Sequence, residues 1–208
     1  MWSAFGIAFL IGSIPAAWIV VRLWAKKDVS TTGSGNVGAA NALRVSKSVW
    51  VGVLVVLLDG AKGALAVWLV TRLGLDGEAL HLRCVATVGV VAGHNYNPWL
   101  SIARRRLSGG KGFAAAGGAF VVYRLPLVGC WLGVCLVAWL VIRAAFGVRD
   151  ETPACAAATL SLMPYALLYF DMPTFWMALG LFLVVGPKLV REVWTELVQR
   201  PGSFRLRP

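Results

Sequence analysis

An all-α, polytopic membrane protein is the architecture this sequence predicts, and three observations predict it. Of its 208 residues, 59% are hydrophobic and only 14% charged. Mean hydropathy is +0.74, well above that of a soluble domain. The charged residues also fall in clusters between apolar runs of roughly 20 residues, the length a helix needs to cross hydrocarbon. Hydrocarbon offers no partner to backbone N–H and C=O groups, so a spanning segment is a helix or part of a closed barrel. These runs are too long and too unalternating for barrel strands.

Taken in order, the runs place about seven spans near residues 2–22, 49–71, 82–100, 112–124, 126–146, 154–170 and 173–190. The first charged residue is Arg22, so the stretch from Trp2 to Val21 lacks the basic start of a cleavable signal peptide and reads as a retained span. The fourth run is short, bounded by Gly109-Gly110 and Leu125-Pro126, as a tilted or partly embedded helix would be. After the last span, Leu189-Val190, Val193-Trp194 and Leu197-Val198 alternate with polar residues, so residues 189–208 read as a cytoplasmic tail along the interface. No repeat or linker divides the chain, which predicts one integral membrane domain over residues 1–208.

Lys and Arg favour the cytoplasmic side. Arg22 to Lys47 holds five of them against one Asp, whereas the next connection balances Arg72 and Arg83 against Asp76 and Glu78. Continuing along the chain puts Arg104, Arg105, Arg106 and Lys111 inside, Arg124 outside, Arg143 and Arg149 inside, Asp171 outside, and Arg191, Arg200, Arg205 and Arg207 inside. The alternation predicts an N-terminus outside and a C-terminus in the cytoplasm. A formal charge of +11 spread through the gaps between spans, rather than along one polar face, argues against a nucleic-acid partner. Cys84, Cys130, Cys135 and Cys155 lie in or beside apolar runs without Cys-x-x-Cys spacing and read as small core residues.

Four constellations can carry chemistry. The inside loop from Thr32 to Asn41 has glycines at Gly33, Gly35 and Gly38 that let backbone N–H groups approach an anion, and Ser34, Asn36 and Asn41 add donors, with Arg44 following. No strand precedes it, so it is not a dinucleotide-binding turn; a flexible turn is the alternative. Ser108-Gly109-Gly110-Lys111-Gly112, also inside, frames a lysine just before a helix, where a phosphate meets free N–H groups and the positive dipole end. It lacks Walker A spacing. Arg104 to Arg106 read as topology and lipid head-group residues. Asp59 and Lys62 share one face of the second span and neutralise each other, as a structural charge pair or a functional one, while Gly60 and Gly63 permit close helix contact. His94 ends the third span on the same face as the glycine loops, as an interfacial anchor or a base; with only His81 besides, no metal site is available.

Gly12-Ser13-Ile14-Pro15, the Gly-Ser-Gly-Asn-x-Gly-Ala loop, Leu58-Asp59-x-x-Lys62-Gly63, Gly93-His94 and Gly109-Gly110-Lys111-Gly112, in this order, resemble the bacterial PlsY-type acyl-phosphate:glycerol-3-phosphate acyltransferases. The resemblance implies a multi-pass enzyme of the bacterial inner membrane with its active face in the cytoplasm. It implies transfer of a fatty acyl group from acyl phosphate to the 1-hydroxyl of glycerol 3-phosphate, giving lysophosphatidate for phospholipid synthesis, without a cofactor. Membrane lipids are the surrounding partners. By position, Ser34, Arg44, Lys111 and His94 would act at the reacting groups. Gly33, Gly35, Asn36, Gly38, Asn41, Gly109, Gly110 and Gly112 would bind substrate. Ser34 as a nucleophile lacks a base at a recognisable spacing.

The last third departs from the family pattern. Where the family has an Arg-Tyr-x-Ser-Leu-like segment, this chain has Gly147 to Pro153, and Thr152 would replace the serine hydroxyl. Its His-Arg-x-Asn run is here Lys188-Leu189-Val190-Arg191, leaving Lys188 and Arg191 to meet a phosphate. Two other function classes fit the same charges: a transporter of a phosphorylated solute, with Asp59 and Lys62 lining the path, and an inactive relative serving as a lipid-binding scaffold.

Overall fold

The computed structural model describes residues 1–146 and 152–194. Within them the chain forms ten helices and no strand: α1 (Trp2–Gly12), α2 (Ala16–Ala25), α3 (Ala39–Ser46), α4 (Val49–Arg72), α5 (Ala79–Asn95), α6 (Pro98–Arg104), α7 (Phe113–Tyr123), α8 (Leu125–Phe146), α9 (Thr152–Tyr169) and α10 (Met172–Trp194). The all-α expectation therefore holds for the described residues. Among the described residues, four segments are long and apolar enough to cross a membrane, namely Trp2–Ala25, Val49–Arg72, Leu125–Ala145 and Met172–Arg191, and Phe113–Tyr123 is a shorter apolar helix. The third and sixth expected spans are occupied by α5, with 17 residues, and by α9, with 18 residues and Pro164 inside it.

Three boundaries differ from the sequence reading. The first run is two helices, broken at Ser13-Ile14-Pro15, because Pro15 has no N–H to continue the ladder and disfavours helix in the residue before it. The third run stops at Asn95 rather than running to residue 100. Asn97 begins a new helix there: its side chain accepts from the Leu100 N–H at 3.0 Å, with Pro98 in the first turn. At the other end, α10 carries the last span on through Trp194 without a break, so the start of the expected tail belongs to that helix. Residues 195–208, with Arg200, Arg205 and Arg207, and residues 147–151, with Arg149, lie outside the described residues.

The helices group into two compact units, residues 1–123 and the described residues from Arg124 onward. In the first, α1 packs on α5 and α4 on α7. Both crossings are close because small residues face each other. A β-carbon on Gly93 would strike the Phe9 carbonyl, and one on Gly63 would strike the Ala115 carbonyl. Gly60 meets Gly118 in the same α4–α7 contact, as its spacing suggested. Under the first glycine loop, Val21, Val29, Val37, Ala42, Val45, Val51, Val55 and Leu100 form a buried core that seats α3 against α2 and α4.

In the second unit α9 packs against both α8 and α10. Arg124 and Asp171 meet at 2.5 Å, and the Asp171 carboxylate also accepts from the Thr174 hydroxyl and N–H. Cys135 and Cys155 bring their sulfurs to 3.3 Å.

Candidate active site

The loop from Thr32 to Gly38 is built around one side chain. Asn41, in the first turn of α3 and almost wholly buried, accepts the Ser34 N–H at 3.0 Å through Oδ1. Its Nδ2 faces the carbonyls of Val29, Thr32 and Asn36 at 2.9, 2.9 and 3.0 Å. Asn41 thus spends its amide on the loop's own backbone and shapes the site from beneath. Gly33 and Gly35 take φ of 67° and 72°, left-handed conformations that a side chain would strain. The consequence is a turn that leaves Ser34 exposed and Asn36 half-buried in front of α3. Gly38 is the N-cap of α3, and Arg44 is exposed in its last turn. The Ser34 hydroxyl accepts from the Asn36 N–H at 3.4 Å.

The second glycine loop lies directly against the first. The Val37 N–H donates to the Gly109 carbonyl at 3.3 Å, and the Gly110 N–H donates to the His94 carbonyl at 3.0 Å. Gly112 accepts from the Ala116 N–H at 2.8 Å and so opens α7, which puts Lys111 at that helix's N-terminus, buried between its glycine neighbours. Two helix N-termini, those of α3 and α7, are therefore joined through their loops, with Arg44 on the first helix and Lys111 at the second.

Asp59, Lys62 and His94 come together beneath the second loop. The Lys62 ammonium lies 2.8 Å from Asp59 Oδ1 and 2.8 Å from His94 Nδ1, and all three side chains are buried. Sequence reasoning had the pair and the histidine as separate features. It also missed what holds the loops in place. Arg104 pairs with Asp28, whose carboxylate takes the Ser30 N–H at 2.9 Å, and Arg106 donates to the Ser30 carbonyl at 3.1 Å. These arginines thus fasten the second loop's approach to the segment before the first loop. Asn97 Nδ2 reaches the Ser13 carbonyl at 2.5 Å and Trp99 donates to the Ser13 hydroxyl at 2.9 Å, which ties the α1–α2 break to α6. The Asn-Pro pair before a short apolar run was a legible N-cap signal for Asn97; no local pattern pointed to Asp28.

The remaining expected residues belong to the second unit. Thr152 is buried at the start of α9, and Lys188 is half-buried on α10 next to Pro187.

A glycerol-3-phosphate acyltransferase of Paramagnetospirillum magneticum is 37% identical over 174 residues, covering 83% of this chain and 78% of the relative. Two crystal structures of PlsY (YgiH), described as an integral membrane glycerol 3-phosphate acyltransferase, share the fold. The glycerol 3-phosphate form superposes with a TM-score of 0.78 at 23% identity, and the lysophosphatidic acid form with 0.74 at 24%. Each match covers 100% of this chain and 95% of that one. The family profile described as glycerol-3-phosphate acyltransferase matches residues 2–192, and on that extent this chain belongs to the glycerol-3-phosphate acyltransferase family.

Proposed function

We propose that the chain acylates the 1-hydroxyl of glycerol 3-phosphate with acyl phosphate as donor, at the cytoplasmic face of the bacterial inner membrane, and releases lysophosphatidate and inorganic phosphate. The observation that carries this reading is the joining of two helix N-termini through the Val37–Gly109 hydrogen bond, with Lys111 at the second of them and Arg44 in the last turn of the short helix α3. Two phosphate-bearing substrates need two neighbouring anion sites, and family membership supplies the reaction class.

An acyl phosphate is already activated, so positioning and oxyanion stabilisation suffice. The acceptor hydroxyl oxygen bonds to the acyl carbon, the carbon–oxygen bond to phosphate breaks, and the departing phosphate takes the hydroxyl proton. Lys111 stabilises the negative charge on the carbonyl oxygen as it develops. Arg44, Ser34 and Asn36 hold the acceptor. Ser34 is exposed in the turn and serves here as a hydrogen-bonding group rather than an acyl carrier.

The test is acyl transfer by purified protein in lipid, with acyl phosphate compared with acyl-CoA across several polyol phosphates. Lysophosphatidate should form from acyl phosphate and glycerol 3-phosphate; no product from any pair overturns the reading. Arg44→Ala and Lys111→Ala should each lower kcat/KM roughly 10- to 100-fold, the weight of a hydrogen bond to a charged group.

A further inference from the structure

Asp59 and Lys62 have no part in the reaction as derived, yet their surroundings exceed what a neutralised pair needs. The Lys62 ammonium sits 2.8 Å from each of three groups on different elements: Asp59 Oδ1 on α4, the Ile14 carbonyl in the α1–α2 break, and Nδ1 of His94 on α5. An ammonium carries three donors and no acceptor, so these partners use it completely. The Ile14 carbonyl, in the break between two apolar helices, also accepts the Ala16 N–H at 3.0 Å, so it keeps a donor without Lys62.

The third contact bears on the site. Because Lys62 can only donate, Nδ1 of His94 must accept, which leaves the proton of a neutral ring on Nε2. Asp59 Oδ1, at 3.5 Å, lies farther from Nδ1 than the ammonium does and makes the weaker contact with it. The Nε2 edge of the ring faces Gly110 so closely that a β-carbon there would run into it, while the His94 carbonyl takes the Gly110 N–H at 3.0 Å. Ring and loop are in contact, and the residue after Gly110 is Lys111.

We propose that Asp59 and Lys62 are positioning residues for acyl transfer: Lys62, steadied by Asp59 and the Ile14 carbonyl, fixes His94 as the Nε2-protonated tautomer, and the His94 ring sets where the Gly109–Gly112 loop holds Lys111. Its kinetic consequence rests on the acyltransferase reading, whereas the tautomer and the loop geometry do not.

Three measurements test it. Replacing both charges, Asp59→Asn with Lys62→Met, removes a purely structural pair without leaving a lone buried charge. The double variant should fold with a near-wild-type Tm yet lose on the order of 100-fold in kcat, as a misplaced reacting group does; activity within about threefold of wild type overturns the proposal. Lys62→Met combined with His94→Gln should lose little more than either change alone, because the two act in series, and fully additive losses overturn it. Nitrogen NMR of ring-labelled histidine in lipid reads the tautomer directly, whatever the variants' folding. Wild type should show His94 protonated at Nε2 and Lys62→Met should lose that preference; a wild-type proton on Nδ1 overturns the proposal. If wild type shows the expected tautomer but makes no lysophosphatidate with any donor, the acyltransferase reading fails and the geometric half of the proposal stands apart from it.

Discussion

At the scale of single residues, glycine matters here mainly through the space it leaves. Gly110 has room for no β-carbon, which would meet the His94 ring and, at 2.7 Å, the Val37 carbonyl. Gly110→Ala should therefore push the two loops apart and lower kcat/KM on the order of 100-fold with helical content intact by circular dichroism. Gly117, seven residues on and with open space at its β-position, is the control: Gly117→Ala should leave activity within about twofold. Activity retained in Gly110→Ala would mean the loop contact is incidental. Asn41 makes the complementary case. Its amide is occupied by backbone groups of the loop, so Asn41→Ala leaves several of them to find water, at roughly 1–3 kcal/mol for each that stays buried. Limited proteolysis between residues 30 and 40 should become faster, and KM for the acceptor should rise. An unchanged cleavage rate would show that the turn holds its shape without Asn41.

At the scale of elements, the α1–α5 crossing positions both the break at Ser13 and His94, because Gly89 and Gly93 let α5 lie against the backbone of α1. A side chain at Gly93 must displace the Phe9 carbonyl, so Gly93→Val should destabilise the first unit by about 1–3 kcal/mol. Gly6→Ala, on the open side of α1, should be neutral, and the Tm of each variant in one detergent separates the two cases. Equal Tm values would mean that the crossing tolerates a wider spacing. The elements also show what the sequence could and could not reveal. Apolar runs gave the helices and the glycine clusters gave the loops, since both are local signals. The breaks at Pro15 and Pro98 were visible as residues but masked by hydropathy, which averages over them. The Arg104–Asp28 pair and the Lys62–His94 contact join residues 76 and 32 positions apart, so nothing short of the fold brings them together.

At the scale of the whole molecule, the remaining question is which way the chain crosses the membrane, and the contacts within each unit bear on the charge pattern. In the first unit, the segments around residues 28–38 and 104–110 are bonded at Asp28–Arg104, Ser30–Arg106 and Val37–Gly109, so two clusters assigned to one side by their Lys and Arg content do lie at one end. In the second, Arg124 and Asp171, both assigned to the opposite side, form an ion pair with each other. Each of these contacts joins segments that the charge pattern places on a common side. The expected outcome is an N-terminus outside and a C-terminus in the cytoplasm. A green fluorescent protein fused after Pro208 should fluoresce, and an alkaline phosphatase fused within residues 73–78 should be active while one fused near Lys47 is not. An active phosphatase near Lys47 would put both glycine loops, and with them Arg44 and Lys111, on the side of the membrane away from the cytoplasm. A donor supplied from the cytoplasm could not reach them there, so that single result would overturn the membrane topology and the proposed cytoplasmic reaction together.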